Sequence, residues 1–228
     1  MDANAIAILG GTGDQGLGLA LRFARAGRPV VIGSRKLERA QAAADEVRSA
    51  VAGARVEGLD NADAVRRAAI VILSVPFEHT AATVKALREA LAPGQTLVSM
   101  GVPLATAIGD AAARTIGVWQ GSCAELVASL VPEGVEVVSA FQNVSAHRLR
   151  ELAHPVECDV LVSGAPAPRK AVMALCALVP GLRAVDGGPL PNARIAESIT
   201  ALLIGLNARY KVAEGIGIRF TGIPDASR

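Results

Sequence analysis

Apolar residues along this chain fall into short blocks at two alternating spacings. Ala5-Ile6-Ala7-Ile8-Leu9 is an unbroken apolar run closed by a glycine cluster, the pattern of a parallel strand buried on both faces. An alanine- and leucine-rich stretch ending near Gly27 then reads as a helix, and Val30-Val31-Ile32 as a second strand. Residues 36–49 set alanines against charges at helical spacing, which predicts a half-buried helix. A third strand is expected at 56–59, with Asn61 placed to cap a short helix ending near Arg67. Ile70-Val71-Ile72-Leu73 predicts a central strand, 78–91 a helix beyond Pro76, and 96–99 the next strand after the Pro93-Gly94 turn.

The second half repeats the theme, with helices expected at 122–130 and 169–178 and strands at 135–141 and 158–162. A long helix at 192–208, apolar on one side, closes the chain after Gly187-Gly188-Pro189-Leu190-Pro191. Strand and helix alternation of this kind predicts an α/β fold, a Rossmann-type doubly wound parallel sheet with right-handed crossovers. A small C-terminal α/β extension and the closing helix complete it, and no linker separates the halves.

Composition narrows the function. No apolar run approaches the roughly 20 residues that span a bilayer, and the chain opens on no basic segment, so a soluble protein without a signal peptide is expected. The net charge of +2 is spread without a basic block, which argues against nucleic-acid or membrane partners and leaves small molecules. Cys123, Cys158 and Cys176 are too widely spaced for a disulfide framework or a metal pair, which fits a reducing cytoplasm.

The chemistry begins at Gly11-Thr12-Gly13-Asp14-Gln15-Gly16, a GxGxxG directly after a strand and before a helix. Gly11 is expected to permit the tight turn, Gly13 to let the backbone approach a pyrophosphate, and Gly16 to let the helix pack on the strand. Thr12 and Asp14 read either as further hydrogen-bonding groups or as plain turn chemistry. An NAD site would place a carboxylate at the end of the second strand, where this chain has Gly33-Ser34-Arg35-Lys36, with Arg39 one turn beyond. A hydroxyl and guanidinium groups there match a 2′-phosphate, which selects NADP.

The chain resembles the NADPH-dependent reductases of the 5-deazaflavin coenzyme F420. The likeness rests on the glycine turn, Gly33-Ser34-Arg35, Val75-Pro76-Phe77-Glu78-His79, Asn143-Val144-Ser145-Ala146-His147, the stretch from Asp186 through Asn192-Ala193-Arg194, and Glu197-Ser198-Ile199-Thr200. The resemblance implies reversible hydride transfer between nicotinamide C4 and deazaflavin C5, with ring positioning in place of side-chain acid or base groups. It implies NADP contacts from Thr12, Ser34, Arg35 and Arg39, then from Ser74, Val75, Pro76 and His79, with Met100, Gly101, Val102 and Pro103 near the nicotinamide. Gln142, Asn143, Val144, Ser145, Asn192, Glu197 and Leu203 are expected around coenzyme F420, the co-substrate. Residues 1–140 would be the NADP-binding domain and 141–228 a smaller deazaflavin domain packed on it, in a cytoplasmic homodimer with no metal.

This chain has Gln142 where the family carries histidine, a neutral amide in place of a titratable group. That departure motivates two alternatives, an NADPH-dependent reductase of another flavin or pterin, and a non-catalytic NADP-binding redox sensor. His79 reads equally as a helix-start residue or a ligand contact, and Glu197 as facing either Arg194 or the cleft. Packing is the default for Met100 and Trp119, a core position for Cys158 and Cys176, and a surface position for His147 and His154.

Overall fold

The computed structural model describes residues 2–223, so the outermost residues of both expected domains lie outside it. Eight strands form one sheet: β1 (Asp2–Leu9), β2 (Val30–Ser34), β3 (Val56–Asp60), β4 (Ala68–Leu73), β5 (Thr96–Ser99), β6 (Glu136–Ser139), β7 (Cys158–Gly164) and β8 (Leu182–Gly188). Their order across the sheet is β3-β2-β1-β4-β5-β6-β7-β8. Between them run α1 (Asp14–Arg25), α2 (Leu37–Ala50), α3 (Asn61–Arg67), α4 (Phe77–Ala86), α5 (Cys123–Ala128), α6 (Ala146–Arg150) and α7 (Pro166–Cys176), and α8 (Ala193–Tyr210) follows β8.

Alternation along β1 shows why the sheet lies between two layers of helices. Ile6 and Ile8 join one buried cluster with Phe23 and Val30, whereas Ala7 and Leu9 join another with Val71 and Val84. Each fully buried isoleucine or leucine contributes about 1.5–3 kcal/mol through the area it removes from water.

Four local expectations are corrected. Asp60, not Asn61, caps α3, its carboxylate accepting the Asp63 N–H at 2.9 Å. Strand β6 stops at Ser139 because Phe141 takes a left-handed φ of 69°. The helix expected to reach residue 91 ends at Ala86 and continues only as turns. The parallel sheet is broken once, since β7 pairs antiparallel with β6 while β8 runs parallel to β7.

That pairing joins only Val138 to Gly164 and Ser139 to Ser163, so the last residues of both strands meet. Strand β7 therefore begins beyond the carboxyl rim of the first six strands and runs back to it. The β7-α7-β8 unit thus stands past that rim.

Candidate active site

Strand order reverses between β1 and β4, which places a crevice at their carboxyl ends. Gly10 makes this crevice possible: its φ is +75°, and a Cβ there would lie 2.2 Å from the Ser74 carbonyl oxygen. Gly10 rather than Gly11 thus supplies the tight turn, while Gly11 packs over Ile8 and Ile32. Gly16 lies against the backbone of Gly10 and Gly11, as expected, so the start of α1 sits directly on the turn. Gly13 is extended and exposed at the N-cap of α1, leaving its side of the helix start open to a ligand.

Two clefts open from this point. The first, about 560 Å³, is lined by Thr12, Ser34, Arg35 and Arg39 on one side and by Ser74, Val75, Pro76 and His79 on the other. Ser34 is buried and its hydroxyl accepts the Lys36 N–H at 3.2 Å. Arg35, Lys36 and Arg39 are exposed, and no carboxylate pairs with them among the described residues. These three cations at the start of α2 oppose its dipole, with Glu38 the acid in its first turn. His79 lies in the first turn of α4, its N–H bonded to Pro76 O at 3.0 Å, and its side chain lines the cleft. Lys36, Asn61 and Thr83 also line this cleft; the sequence singled out none of them as ligand contacts.

The second cleft, about 390 Å³, is lined by Asp14, Gln15, Met100, Gly101, Val102 and Gln142, and shares Gly13, Ser74, Val75 and Pro76 with the first. Phe77 and Glu78 from α4, with Leu104 and Thr106 from the segment after β5 that no motif flags, complete its rim. Gln142 is buried, and its Nε2 donates to the Ser139 hydroxyl and to Ser99 O at 3.5 Å. Its Oε1 is buried and has no hydrogen-bond partner among the described residues.

Apart from Gln142, the residues expected around coenzyme F420 line neither cleft. Asn143 donates to Asp159 O at 2.7 Å, Gln15 donates to Val144 O at 2.9 Å, and Ser145 caps α6 and donates to Glu214 O at 2.6 Å. Asp14 pairs with Arg150 at 2.9 Å. Asn192 donates to Gly187 O at 2.7 Å, and Leu203 is buried on α8. Pro103 lines a separate recess of about 260 Å³ with Arg194 and Glu197.

Glu197 does not pair with Arg194. Its carboxylate, 1% exposed, accepts the N–H groups of Cys123 at 2.9 Å and Ala124 at 3.1 Å. Burial pushes Glu197 up to about 7 against those two bonds, with Glu125 adding to the rise. Burial likewise pushes the Cys123 thiol up to about 12, which makes it inert as a nucleophile. Cys158 and Cys176 are buried, Met100 is 7% exposed, and Trp119 is almost fully exposed, against its packing expectation.

Residues 5–103 match the family model for coenzyme F420-dependent NADP oxidoreductases. The chain is 48% identical over 223 residues to the F420-dependent NADP reductase of Methanocaldococcus jannaschii, covering 96% of this chain and 98% of that protein. It is 45% identical to the reductase of the same name from Methanothermobacter thermautotrophicus, covering 96% of each. A crystal structure from Arthrobacter sp. FB24, of a protein named as a candidate F420-dependent NADP reductase, superposes with a TM-score of 0.76 at 26% identity, over 94% of this chain and 99% of that one. An imine reductase from Bacillus cereus shares the fold alone, at a TM-score of 0.62 and 15% identity over 91% of this chain and 63% of its own.

Proposed function

This chain belongs to the F420-dependent NADP reductase family, and on that premise we propose which of its residues carry the reaction. The enzyme transfers hydride reversibly between NADP(H) and coenzyme F420. The two coenzymes supply the chemistry, a hydride passing between nicotinamide C4 and deazaflavin C5.

The carrying observation is the pair of clefts joined at Gly13, Ser74, Val75 and Pro76. An extended dinucleotide would lie with its charged end among the cations of the first cleft and its ring end in the second. Ser34, Arg35 and Arg39 bind the 2′-phosphate, the last two as guanidinium donors that meet no carboxylate among the described residues. Gly13 and the start of α1 hold the pyrophosphate, with Thr12 beside them, and His79 and Pro76 flank the path onward. Met100, Gly101 and Val102 form the shelf under the nicotinamide.

Gln142 shapes the acceptor end of the second cleft, its amide held in place by Ser99 O and the Ser139 hydroxyl. Asn143, Val144, Ser145, Asn192 and Leu203 shape the acceptor side through backbone bonds and packing. No side chain needs to donate or take a proton at the reacting carbons, so the enzyme acts by alignment and exclusion of water.

Two larger readings accompany this one. Residues 1–140 and 141–228 act as nucleotide and acceptor domains, supported by the antiparallel seam between β6 and β7. The protein works as a homodimer in the cytoplasm. Ile195, Leu202 and Tyr210 on α8 are exposed apolar groups in want of cover, and the three cysteines are free thiols. Among the described residues no helix is long and apolar enough to cross a membrane.

The test is anaerobic oxidation of NADPH with coenzyme F420, FMN or a dihydropterin as acceptor and NADH as the control donor. Turnover with NADPH and F420 alone is expected. Turnover with FMN or the pterin but not F420 would move the enzyme to another acceptor, and binding without turnover would make it a sensor.

A further inference from the structure

We propose that Glu197 is a positioning residue for hydride transfer: from α8 it fixes the start of α5, and through α5 the shelf formed by Met100, Gly101 and Val102. The inference rests on the reading of that shelf as the nicotinamide end of the cleft.

A buried carboxylate on a largely apolar helix needs a reason, since desolvation opposes it. Here the reason is the start of α5, whose first N–H groups have no acceptor within their own helix. Glu197 accepts two of them, from Cys123 and Ala124, and the Ser122 hydroxyl accepts that of Glu125 at 3.0 Å. The bonds are charge-assisted when the carboxyl is ionised and span 73 and 74 residues of sequence, so they tie the closing helix to a segment of the Rossmann half.

The tie reaches the cleft through Cys123. Its side chain is fully buried, and a Cβ on Gly101 would lie 2.4 Å from Cys123 Sγ, so the shelf backbone rests directly on the sulfur. Ser99, the last residue of β5, directs its hydroxyl to the same sulfur at 3.9 Å. Any shift of the α5 start is passed to Gly101 with nothing soft between them. Hydride transfer depends steeply on the separation of the two carbons, and a misplacement of ~1 Å costs on the order of a hundredfold in rate.

The experiment compares wild type with Glu197→Gln, which keeps the shape but turns one acceptor into a donor. Single-turnover hydride transfer is measured with NADPH and with NADPH deuterated at both C4 positions, using coenzyme F420 as acceptor. The variant is expected to transfer hydride on the order of tenfold more slowly, with a larger primary isotope effect, while its Michaelis constant for NADPH stays within about twofold of wild type. An unchanged rate, or a lower rate with an unchanged isotope effect, would overturn the proposal. Cys123→Ala, which removes the sulfur under Gly101 and leaves the carboxylate alone, provides the same reading should Glu197→Gln not fold. It is expected to raise the isotope effect, and no change would overturn the proposal. A wild type that transfers no hydride from NADPH to F420 would overturn the function itself, and the inference with it.

Discussion

Gln15, at the start of α1, donates its side-chain amide to the carbonyl of Val144 at 2.9 Å. The nucleotide turn and the acceptor loop are thereby fastened to each other across the mouth of the cleft. Gln15→Ala is expected to raise the Michaelis constant for F420 about fivefold, the equivalent of one part-buried hydrogen bond of ~1 kcal/mol, with a smaller effect on NADPH. Equal effects on both substrates in steady-state assays would show that the bond holds only the nucleotide turn.

Arg35 stands at the end of β2 with no carboxylate partner among the described residues. Replacing it by alanine is expected to raise the Michaelis constant for NADPH by ~10- to 100-fold, as loss of a charged hydrogen bond worth ~1.5–3 kcal/mol implies, and to leave NADH almost unaffected. The ratio of the two constants is the quantity to measure, and an unchanged ratio would remove the 2′-phosphate assignment.

Gly10→Ala combines a left-handed backbone with an overlap on the Ser74 carbonyl. The backbone conformation alone costs ~1–2 kcal/mol, and the overlap adds to it. Thermal unfolding should show a midpoint at least several degrees lower, and NADPH should no longer raise it, because the displaced turn is the phosphate site. A variant that still gains its full NADPH-dependent shift would place the nucleotide elsewhere.

Gln142→His restores a titratable ring at the acceptor wall while leaving the first cleft untouched. Acceptor kinetics should change and acquire a pH dependence near the usual histidine range, ~6.5, with NADPH affinity as in wild type. A change confined to nucleotide binding would contradict the placement of Gln142.

The Glu197 carboxyl is raised to about 7 from 4.5, so the folded protein holds its proton more tightly than the unfolded chain does. The stability it contributes is complete below pH 4.5 and is lost as pH rises through 7. Glu197→Gln should flatten this part of the stability profile, gaining on wild type as pH rises from 4.5 to about 7. Urea midpoints measured across that window give the comparison, and parallel curves would assign the pH dependence to other groups.

The sequence resolved the nucleotide half well, because a strand buried on both faces, a glycine turn and a helix are each written in consecutive residues. Ser34, Arg35 and Arg39, which line the first cleft, stood out in sequence for the same reason. The acceptor half was harder. Leu182–Gly188 is a strand, yet its apolar residues are interrupted by Arg183, Asp186 and two glycines, and only pairing with β7 makes it one. The direction of β7 is set by where its partner ends, which no local pattern records. Phe141 breaks β6 through a left-handed φ that Phe23, packed edge-on at 6.3 Å, helps to hold. Glu197 was visible as a candidate, but its partners lie 73 and 74 residues away on another helix.

The seam between β6 and β7, where Val138 faces Gly164 and Ser139 faces Ser163, is narrow for a sheet of this breadth. Such a joint carries little of the union by itself, which rests on the apolar core that Ile8 and Phe23 share with Val160 and Val162. In amide-exchange terms β1 to β8 should therefore open as one unit, with no boundary at Ser139. The acceptor wall would then keep its place relative to the nucleotide through each turnover.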